Sequence, residues 1–330
     1  MRRVASPDVS IVVPMYNEEE NVAALCRAVS TALAGWTRSH ELILVDDGSR
    51  DGTPDLLRHE AETDARVRVI LLARNQGQTQ AMATGFAASR GHVVVSMDGD
   101  LQNDPRDIPA LVDRIDSGFD VVCGWRKDRK DSWLSRTLPS KIANWLIARM
   151  TGIPIHDNGC SLKAYRAEVI RSLRLYSEMH RFLPALSSMT GARIAEVVVR
   201  HHPRIHGVSK YGISRTFKVL SDMVTIKMLT RFANRPGLWF ALLAAPALGM
   251  ATLTGLIALA GAWHPSGATT IVFSSLAIIF FYLSGHLLGL SILSEMLLAR
   301  SDKTYLRRLV EALAVEERRN ISAPAPKGMT

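Results

Sequence analysis

Short apolar runs that end in polar turns recur through the first part of the chain, at residues 9–14, 41–46, 67–72 and 93–97. A buried parallel strand reads as a near-continuous apolar run of this kind. The segments between the runs have helical character. In the first of them, residues 19–34, acidic residues come early, where they suit the positive end of a helix dipole. Strands that alternate with helices at this spacing predict an α/β fold with a doubly wound, mostly parallel sheet.

The second part of the chain has a different pattern. Residues 133–150 and 212–236 combine apolar residues on one side of a helix with basic residues, which is typical of interfacial helices. A surface helix packed on the sheet is the alternative for residues 133–150. No Asp, Glu, Lys or Arg occurs between Arg235 and Glu295. This stretch holds two apolar runs that each reach the ~20 residues of a bilayer span. It therefore predicts a transmembrane hairpin.

Basic residues flank the hairpin on both sides, whereas the short connection between its helices has no Lys or Arg. By the positive-inside rule, both ends are then cytoplasmic. We predict an α/β domain at 1–211, which contains the interfacial helix 133–150. An amphipathic juxtamembrane segment at 212–236, two transmembrane helices at 237–298 and a cytoplasmic tail at 299–330 follow it.

Composition narrows the class of protein. The chain has 330 residues, 47% of them hydrophobic, and a formal net charge of +9. This charge suits nucleic acid, an anionic membrane surface or a phosphorylated substrate. The three cysteines show no paired spacing, which argues against a disulfide framework or a zinc site and fits a reducing compartment. The first residues lack the apolar core of a signal peptide, so we expect this part of the chain to stay in the cytoplasm.

Carboxylates follow three of the predicted strands, at Glu18, at Asp46 and Asp47, and at Asp98 and Asp100. The Gly-rich phosphate loops of dinucleotide-binding proteins and P-loop enzymes do not occur. Acidic turns at one sheet edge would repel phosphates unless a divalent cation bridges them to a diphosphate, or a carboxylate accepts from a base or a sugar hydroxyl. Any one turn taken alone could simply end its strand.

Three blocks resemble the inverting, GT-A fold family 2 glycosyltransferases: Val-Pro-Met-Tyr-Asn-Glu at 13–18, Val-Asp-Asp-Gly-Ser-Arg-Asp-Gly-Thr at 45–53, and Asp-Gly-Asp-Leu-Gln at 98–102. Leu-Gln after the second Asp is typical of the polyisoprenyl-phosphate glycosyltransferases. These include dolichol-phosphate mannose synthases, bactoprenol glucosyltransferases and undecaprenyl-phosphate formamido-arabinose transferases. Residues 129–166 look most similar to the last group.

The resemblance implies metal-assisted, inverting transfer of a sugar from a nucleotide sugar, with UDP favoured, to a polyprenyl phosphate such as undecaprenyl phosphate. It also implies a Rossmann-like GT-A domain at the cytoplasmic face of the inner membrane and a role in cell-envelope or lipopolysaccharide synthesis. The implied partners are the nucleotide sugar, the lipid and the membrane. We expect no nucleic-acid partner, and a homo-oligomer, a tetramer by analogy with relatives.

The resemblance also assigns residues. Mg²⁺ or Mn²⁺ would be held by Asp98, Asp100 and Gln102. The lipid phosphate would be held by Arg126, Arg136 and Ser140, a role that suits guanidinium groups. The residues that would contact the nucleotide sugar are Pro14, Tyr16, Glu18, Asp46, Asp47 as a further candidate, Gln76, Asp98 and Lys210.

Asp100, Asp157 and Arg126 are the predicted catalytic residues. Two roles stay open for Asp157. It could act as a general base, or it could orient neighbouring groups. A phosphate monoester has a second pKa near ~6 and is largely deprotonated at neutral pH, so its oxygen hardly needs a base.

Other functions share parts of this pattern. A processive polysaccharide synthase would carry Gln-x-x-Arg-Trp and more spans, and a nucleotidyltransferase would carry a Gly-rich, Lys-bearing first turn. A membrane scaffold with a degenerate glycosyltransferase domain is the non-enzymatic alternative. The clustered His201, His202 and His206 lack the partners and spacing of a zinc site.

Overall fold

The computed structural model describes residues 6–127, 148–149, 155–173, 175, 179–188, 191–203, 224–225, 227–228, 232, 235–261 and 267–321. The chain divides into two compact units, Met1–Thr230 and Arg231–Thr330. Most of the predicted interfacial helix at 133–150 and most of the juxtamembrane segment at 212–236 lie outside the described residues.

The described part of the first unit is a seven-stranded mixed sheet with helices on both faces. Its strands are β1 (Val9–Met15), β2 (His40–Asp46), β3 (Val67–Leu71), β4 (Val93–Ser96), β5 (Val121–Trp125), β6 (Lys163–Arg166) and β7 (Ile194–Val198). Its helices are α1 (Glu19–Ala32), α2 (Thr53–Thr63), α3 (Gln78–Ala88), α4 (Ile108–Asp116), α5 (Ala167–Ser172) and α6 (Leu183–Ser188), with 3₁₀ turns at Pro105–Asp107 and Met179–Phe182.

The strands lie in the order β3-β2-β1-β4-β6-β5-β7. Four pairings are parallel, and β6 runs antiparallel to both of its neighbours, β4 and β5. The mostly parallel sheet predicted from the sequence is therefore present. Its antiparallel strand, β6, was not predicted.

Both faces of the sheet are buried at β1, β2 and β4, which explains the near-continuous apolar runs there. Alternate residues of β1 point to opposite faces, so Ile11 packs with residues of α1 and α4 while Val12 packs with residues of α3. The three cysteines, Cys26, Cys123 and Cys160, are buried free thiols within these two layers.

The turn after β2 requires a glycine at position 48. The φ of Gly48 is +67°, and a Cβ there would lie 2.6 Å from the backbone nitrogen of Asn75. Only glycine combines this conformation with so close an approach. The turn and the loop before α3 are thereby packed against each other at the carboxyl end of β2.

The second unit contains two long helices, α7 (Pro236–Gly261) and α8 (Gly267–Ile321). The predicted charged helix after the second span is the continuation of α8. The predicted connection around residue 264 lies outside the described residues.

Candidate functional site

The carboxyl ends of β1, β2 and β4 lie side by side at one edge of the sheet. β1 pairs in parallel with both other strands, and Met15 at its end lies beside Asp46. The chain order reverses here, because β2 and β3 lie on one side of β1 and β4 lies on the other. Ligands of open α/β sheets bind in the crevice at such a switch point. The three acidic turns noted in the sequence therefore meet at the position where a ligand is expected.

The turn after β4 has a constrained backbone. Leu101 has a φ of +59°, a backbone conformation that residues other than glycine rarely adopt. A Cβ at Gly99 would clash with the Met15 sulfur. Conformations of this kind cluster at functional sites, where the surrounding structure holds them in place.

This turn presents two carboxylates. Gln78 Nε2, from α3, donates to Asp98 Oδ1 at 2.7 Å, and the Gln102 N–H donates to Asp100 Oδ1 at 3.2 Å. Burial, followed by the negative charge of Asp100, raises the pKa of Asp98 to about 6. Two carboxylates so close together repel each other unless a cation or a proton intervenes.

The donor set suits a hard divalent cation. Asp98 and Asp100 offer carboxylate oxygens and Gln102 offers an amide oxygen, which are the ligand types that Mg²⁺ and Mn²⁺ prefer. Within the described ranges, no group of three or more His, Cys, Asp or Glu side chains is arranged to hold a metal ion. A cation at this turn would therefore draw its remaining ligands from a bound diphosphate or from water.

The turn after β2 uses its carboxylates to hold the backbone. Asp47 Oδ1 accepts from the Gln76 N–H at 2.7 Å, and Oδ2 accepts from the Gly77 N–H at 2.8 Å. Asp46 Oδ2 accepts from the Ser49 N–H at 3.1 Å. Burial raises the pKa of Asp47 and the two backbone hydrogen bonds oppose that rise. Both carboxylates are buried at the switch point, and their contact with a nucleotide stays a prediction.

The turn after β1 carries Pro14, Tyr16 and Glu18, all three half-buried. Glu18 Oε2 accepts from Asn21 Nδ2 at 2.6 Å, and the Glu18 N–H donates to Thr53 Oγ1 at 2.9 Å. These bonds connect the turn to the start of α1 and of α2. The three residues therefore lie at the same sheet edge as Asp46 and Asp98.

Arg126 and Asp157 form a largely buried ion pair. Arg126 Nε donates to Asp157 Oδ2 at 2.7 Å and Nη2 donates to Oδ1 at 3.0 Å, with side-chain exposures of 11% and 4%. Burial lowers the pKa of Arg126, the Asp157 carboxylate raises it, and the net pKa lies above the usual range. Both Asp157 oxygens are engaged, which favours an orienting role over a general base. Contact of Arg126 with a lipid phosphate stays a prediction.

Three predicted site residues, Arg136, Ser140 and Lys210, lie outside the described residues. Their proposed contacts with the lipid phosphate and the diphosphate stay predictions. His202, which precedes Lys210 in the chain, is anchored next to the Asp98–Asp100 turn. The His202 N–H donates to the Gln102 carbonyl at 2.9 Å, and His202 Nε2 lies 3.1 Å from Asp104 Oδ2.

The sequence reasoning missed several residues near this edge. Lys163 and Tyr165 of β6, Asn158 before it and Gln78 of α3 all line a small cavity beside Asp98. Within residues 129–166 the sequence analysis assigns chemistry to Arg136, Ser140 and Asp157 and to none of these four residues. The available signal was a lysine set among apolar residues, in Leu162-Lys163-Ala164-Tyr165, which is unusual for a buried strand.

The second unit has the surface of a membrane hairpin. Pro236–Gly261 and Thr270–Arg300 are both long and apolar enough to cross a bilayer. The side chains buried between the helices are small, as at Ala244, Ala251 and Ala258, whereas large apolar side chains such as Leu259 and Phe281 are each 67% exposed. A helix of a water-soluble core would bury them instead.

Polar bonds join the two helices within this unit. Glu295 Oε1 of α8 accepts from the Gly237 N–H at 2.9 Å, and Ser291 Oγ donates to the Gly237 carbonyl at 2.8 Å. Farther along, Ser284 Oγ donates to the Ala244 carbonyl at 3.2 Å. Glu295 thus satisfies a backbone donor that the first turn of α7 leaves free.

Residues 10–174 match the family model "Glycosyl transferase family 2". The dodecaprenyl-phosphate galacturonate synthase of Rhizobium johnstonii is 46% identical over 260 residues, which are 78% of this chain and 76% of that protein. The undecaprenyl-phosphate 4-deoxy-4-formamido-L-arabinose transferase of Edwardsiella ictaluri is 37% identical over 294 residues, 87% of each chain.

Among solved structures, glucosyl-3-phosphoglycerate synthase from Mycobacterium tuberculosis, in complex with Mn²⁺, UDP and glucosyl-3-phosphoglycerate, has a similar fold. The TM-score is 0.53 with 20% identity, and the match covers 69% of this chain and 80% of that one. This similarity identifies the sheet domain as a mixed α/β sheet of the GT-A type, as the sequence predicted.

Proposed function

The chain belongs to glycosyl transferase family 2, and we propose that it transfers a sugar from a nucleoside diphosphate sugar to the phosphate of a polyprenyl phosphate. The observation that carries this proposal is the extended similarity to the dodecaprenyl-phosphate galacturonate synthase. In this chain a GT-A sheet edge with paired aspartates and two apolar helices occur together. A lipid acceptor would explain both features, because the sheet edge would bind the sugar donor and the helices would hold the enzyme at the membrane.

The donor side of the reaction is assigned to the switch point between β1 and β4. Pro14, Tyr16, Glu18 and Asp46 would line the nucleotide pocket, with UDP as the favoured nucleotide. The structural neighbour was solved with UDP and Mn²⁺, which supports a divalent cation here. When bound, Mg²⁺ or Mn²⁺ would be held by Asp98, Asp100 and Gln102 and would neutralise the diphosphate leaving group.

On the acceptor side, a phosphate oxygen of the lipid attacks the anomeric carbon. The new oxygen–carbon bond forms as the bond to the diphosphate breaks, and the configuration is inverted. Because the phosphate is already largely deprotonated, no protein base is needed. Arg126 would align the phosphate with Arg136 and Ser140, and Asp157 would fix the plane of the Arg126 guanidinium. Positioning and charge stabilisation supply most of the rate.

The hairpin would hold the enzyme at the cytoplasmic face of the inner membrane, where the lipid headgroup lies. Arg235 before α7 and Arg300 within α8 place positive charge at the two ends of the hairpin. The positive-inside rule then orients both ends toward the cytoplasm. A homo-oligomer, a tetramer by analogy, completes this proposal.

The test uses purified full-length protein in detergent with undecaprenyl phosphate, Mg²⁺ or Mn²⁺, and a panel of UDP- and GDP-sugars. We expect glycolipid to form with one donor, and Asp100→Ala to lower kcat roughly a hundred- to a thousandfold, the cost of removing one charge-stabilising contact. Asp55→Ala, on the exposed face of α2, is the matched control and should keep the wild-type rate.

If nucleotide sugar binds but no donor is turned over, the scaffold alternative replaces the enzyme. Turnover without lipid would contradict the acceptor half of the proposal. The two relatives named above act, by their names, on a galacturonate and on a formamido-arabinose. Family membership therefore does not determine the sugar, which depends on the residues of the donor pocket.

A further inference from the structure

A small cavity lies beside Asp98, between α3, β4, β6 and the 3₁₀ turn Met179–Phe182. Its volume is about 30 Å³. Because a water molecule needs roughly 10–15 Å³ of such space, the cavity has room for about two oxygen atoms. Its walls hold buried hydrogen-bond donors, so the chemistry of its occupant can be argued.

Two polar groups in the cavity wall are buried and unsatisfied. Asn158 is 3% exposed and Tyr165 is fully buried. Asn158 Nδ2 has no hydrogen-bond partner among the described residues, and the Tyr165 hydroxyl, with the Ser96 side chain beside it, makes no hydrogen bond of normal geometry there. Buried donors are nearly always paired in native proteins, by protein groups or by a bound molecule. These two therefore indicate an occupant that accepts hydrogen bonds.

Lys163 adds a buried positive charge to the same wall. Its side chain is 3% exposed, and Nζ donates to the Asn158 carbonyl at 3.1 Å. No ion pair joins this ammonium group to a carboxylate of the described residues, and its charge acts on Asp98 in the same cavity wall. Arg181, from the 3₁₀ turn, also lines the cavity. Buried cations are normally paired, so an anionic occupant fits better than a neutral one.

Strand pairing places this charge at the reaction site. β6 runs antiparallel to β4, so Lys163 at its start lies beside Ser96 near the end of β4. Asp98, two residues farther along, lines the cavity and also belongs to the proposed metal site. A sugar attached to a diphosphate at Asp98 and Asp100 would therefore lie next to the cavity opening.

We propose that this cavity is the subsite for a carboxylate on the transferred sugar, so that the donor is a nucleoside diphosphate uronate. The inference rests on the proposed function. A carboxylate supplies two acceptor oxygens and one negative charge, which match the cavity volume, the two unsatisfied donors and Lys163. A hydroxyl would bring no charge to Lys163, and a phosphate group carries more oxygens than the cavity holds.

The experiment compares two donors that differ only at carbon 6, UDP-glucuronate and UDP-glucose, and their galacto epimers. Binding to the full-length protein in detergent with Mg²⁺ is measured by calorimetry, and turnover with undecaprenyl phosphate is measured alongside. We expect one uronate to be preferred over its matched hexose. In Lys163→Met that preference should fall roughly ten- to a hundredfold, the contribution of a hydrogen bond to a charged group.

Tyr165→Phe removes only the hydroxyl and should also reduce the preference for the uronate over the hexose. It keeps the test usable if the Lys163 variant fails to fold. Arg58→Met on the exposed face of α2 removes an equal charge and should leave the ratio unchanged. A purely structural Lys163 would weaken both donors equally.

An equal preference for the two donors, or a ratio unaffected by both cavity variants, would overturn the subsite while the transferase proposal stands. If no nucleotide sugar binds at all, the proposed function fails first and the subsite falls with it. A preference lost in both cavity variants and kept in Arg58→Met supports the inference.

Discussion

The two units of this chain bury opposite kinds of side chain. In the sheet unit the fully buried residues are large, such as Ile11, Leu25 and Phe182. In the helical unit the buried positions of α7 are mainly small, and leucines and isoleucines cover the outside. In water, folding is driven by burial of large apolar groups. Between helices in lipid this driving force is absent, and small residues allow close packing instead. The difference indicates that the two units fold in different solvents.

The largest expected effect on stability comes from breaking the buried Arg126–Asp157 ion pair of the sheet unit. Arg126→Met would leave the Asp157 carboxylate buried without its partner, and we expect a loss of about 3–5 kcal/mol in the free energy of unfolding. Chemical denaturation followed by tryptophan fluorescence measures it. Breaking the exposed Arg58–Asp55 pair should cost at most about 1 kcal/mol. Equal costs for the two pairs would show that burial does not matter here.

A leucine-to-arginine substitution should be costly in the helical unit and nearly neutral in the sheet unit. Leu256 of α7 is 60% exposed and Leu56 of α2 is 38% exposed. Leu256→Arg would place a charge in lipid, which costs about 2.5–3.5 kcal/mol on insertion scales. Leu56→Arg would place it in water at almost no cost.

We therefore expect Leu256→Arg to lower the amount of protein in the membrane fraction, and Leu56→Arg to leave it unchanged. The measurement is fractionation followed by quantitative blotting. Equal recovery of both variants would mean that the outer surface of α7 does not contact lipid.

Packing between α7 and α8 gives a smaller effect. Ala251 is buried at 7% exposure, and Ala251→Leu would overfill the contact at a cost of about 1–3 kcal/mol. Ala245 is exposed on the same helix, so Ala245→Leu is the matched control. Thermal unfolding in detergent should show a lower midpoint for Ala251→Leu alone. A lower midpoint for both variants would argue against a small-residue contact.

The smallest effect concerns pH and should be confined to the sheet unit. Burial and Asp100 raise the pKa of Asp98 to about 6, so the folded state binds this proton more tightly than the unfolded chain. Without metal, its contribution to stability is present below pH 4 and is lost as the pH rises through about 6. The change should be on the order of 1 kcal/mol, because the side chain is only half-buried.

Denaturation of the metal-free protein between pH 4 and 7 measures this change. The Asp98→Asn variant, which cannot titrate at this position, should lose that part of the pH dependence. Added Mg²⁺ should raise stability more at pH 7 than at pH 5, because binding requires the deprotonated carboxylate. A pH dependence unchanged in Asp98→Asn would assign it to another group.

The features readable from sequence are those with a local physical cause. β1, β2, β3 and β4 were predicted from near-continuous apolar runs. In β1, β2 and β4 these runs reflect burial on both faces of the sheet, whereas the edge strand β3 is only partly buried. The hairpin helices were predicted from their length and composition. The acidic turns were predicted to share an edge because parallel strands point the same way.

The features that escaped depend on long-range pairing. β6 is only four residues long and includes Lys163 and Arg166, so it does not read as a buried strand. The Arg126–Asp157 pair joins residues 31 positions apart, and its partners were named without being matched. The cavity beside Asp98 is lined by Lys163 and Tyr165 of β6, and no local pattern of this sequence indicates the antiparallel pairing of β6 with β4.

The three buried thiols have a practical consequence. Burial, as the main cause, raises the pKa of Cys26 and Cys123 to about 12 and that of Cys160 to about 11. Because only the thiolate reacts with alkylating reagents, the native cysteines are chemically silent near neutral pH. A single cysteine introduced in the predicted connection between the two spans, for example in place of Ser266, would then be the sole labelling position. A membrane-impermeant maleimide added to intact cells could report which side of the bilayer that connection faces, with no need to remove any natural cysteine.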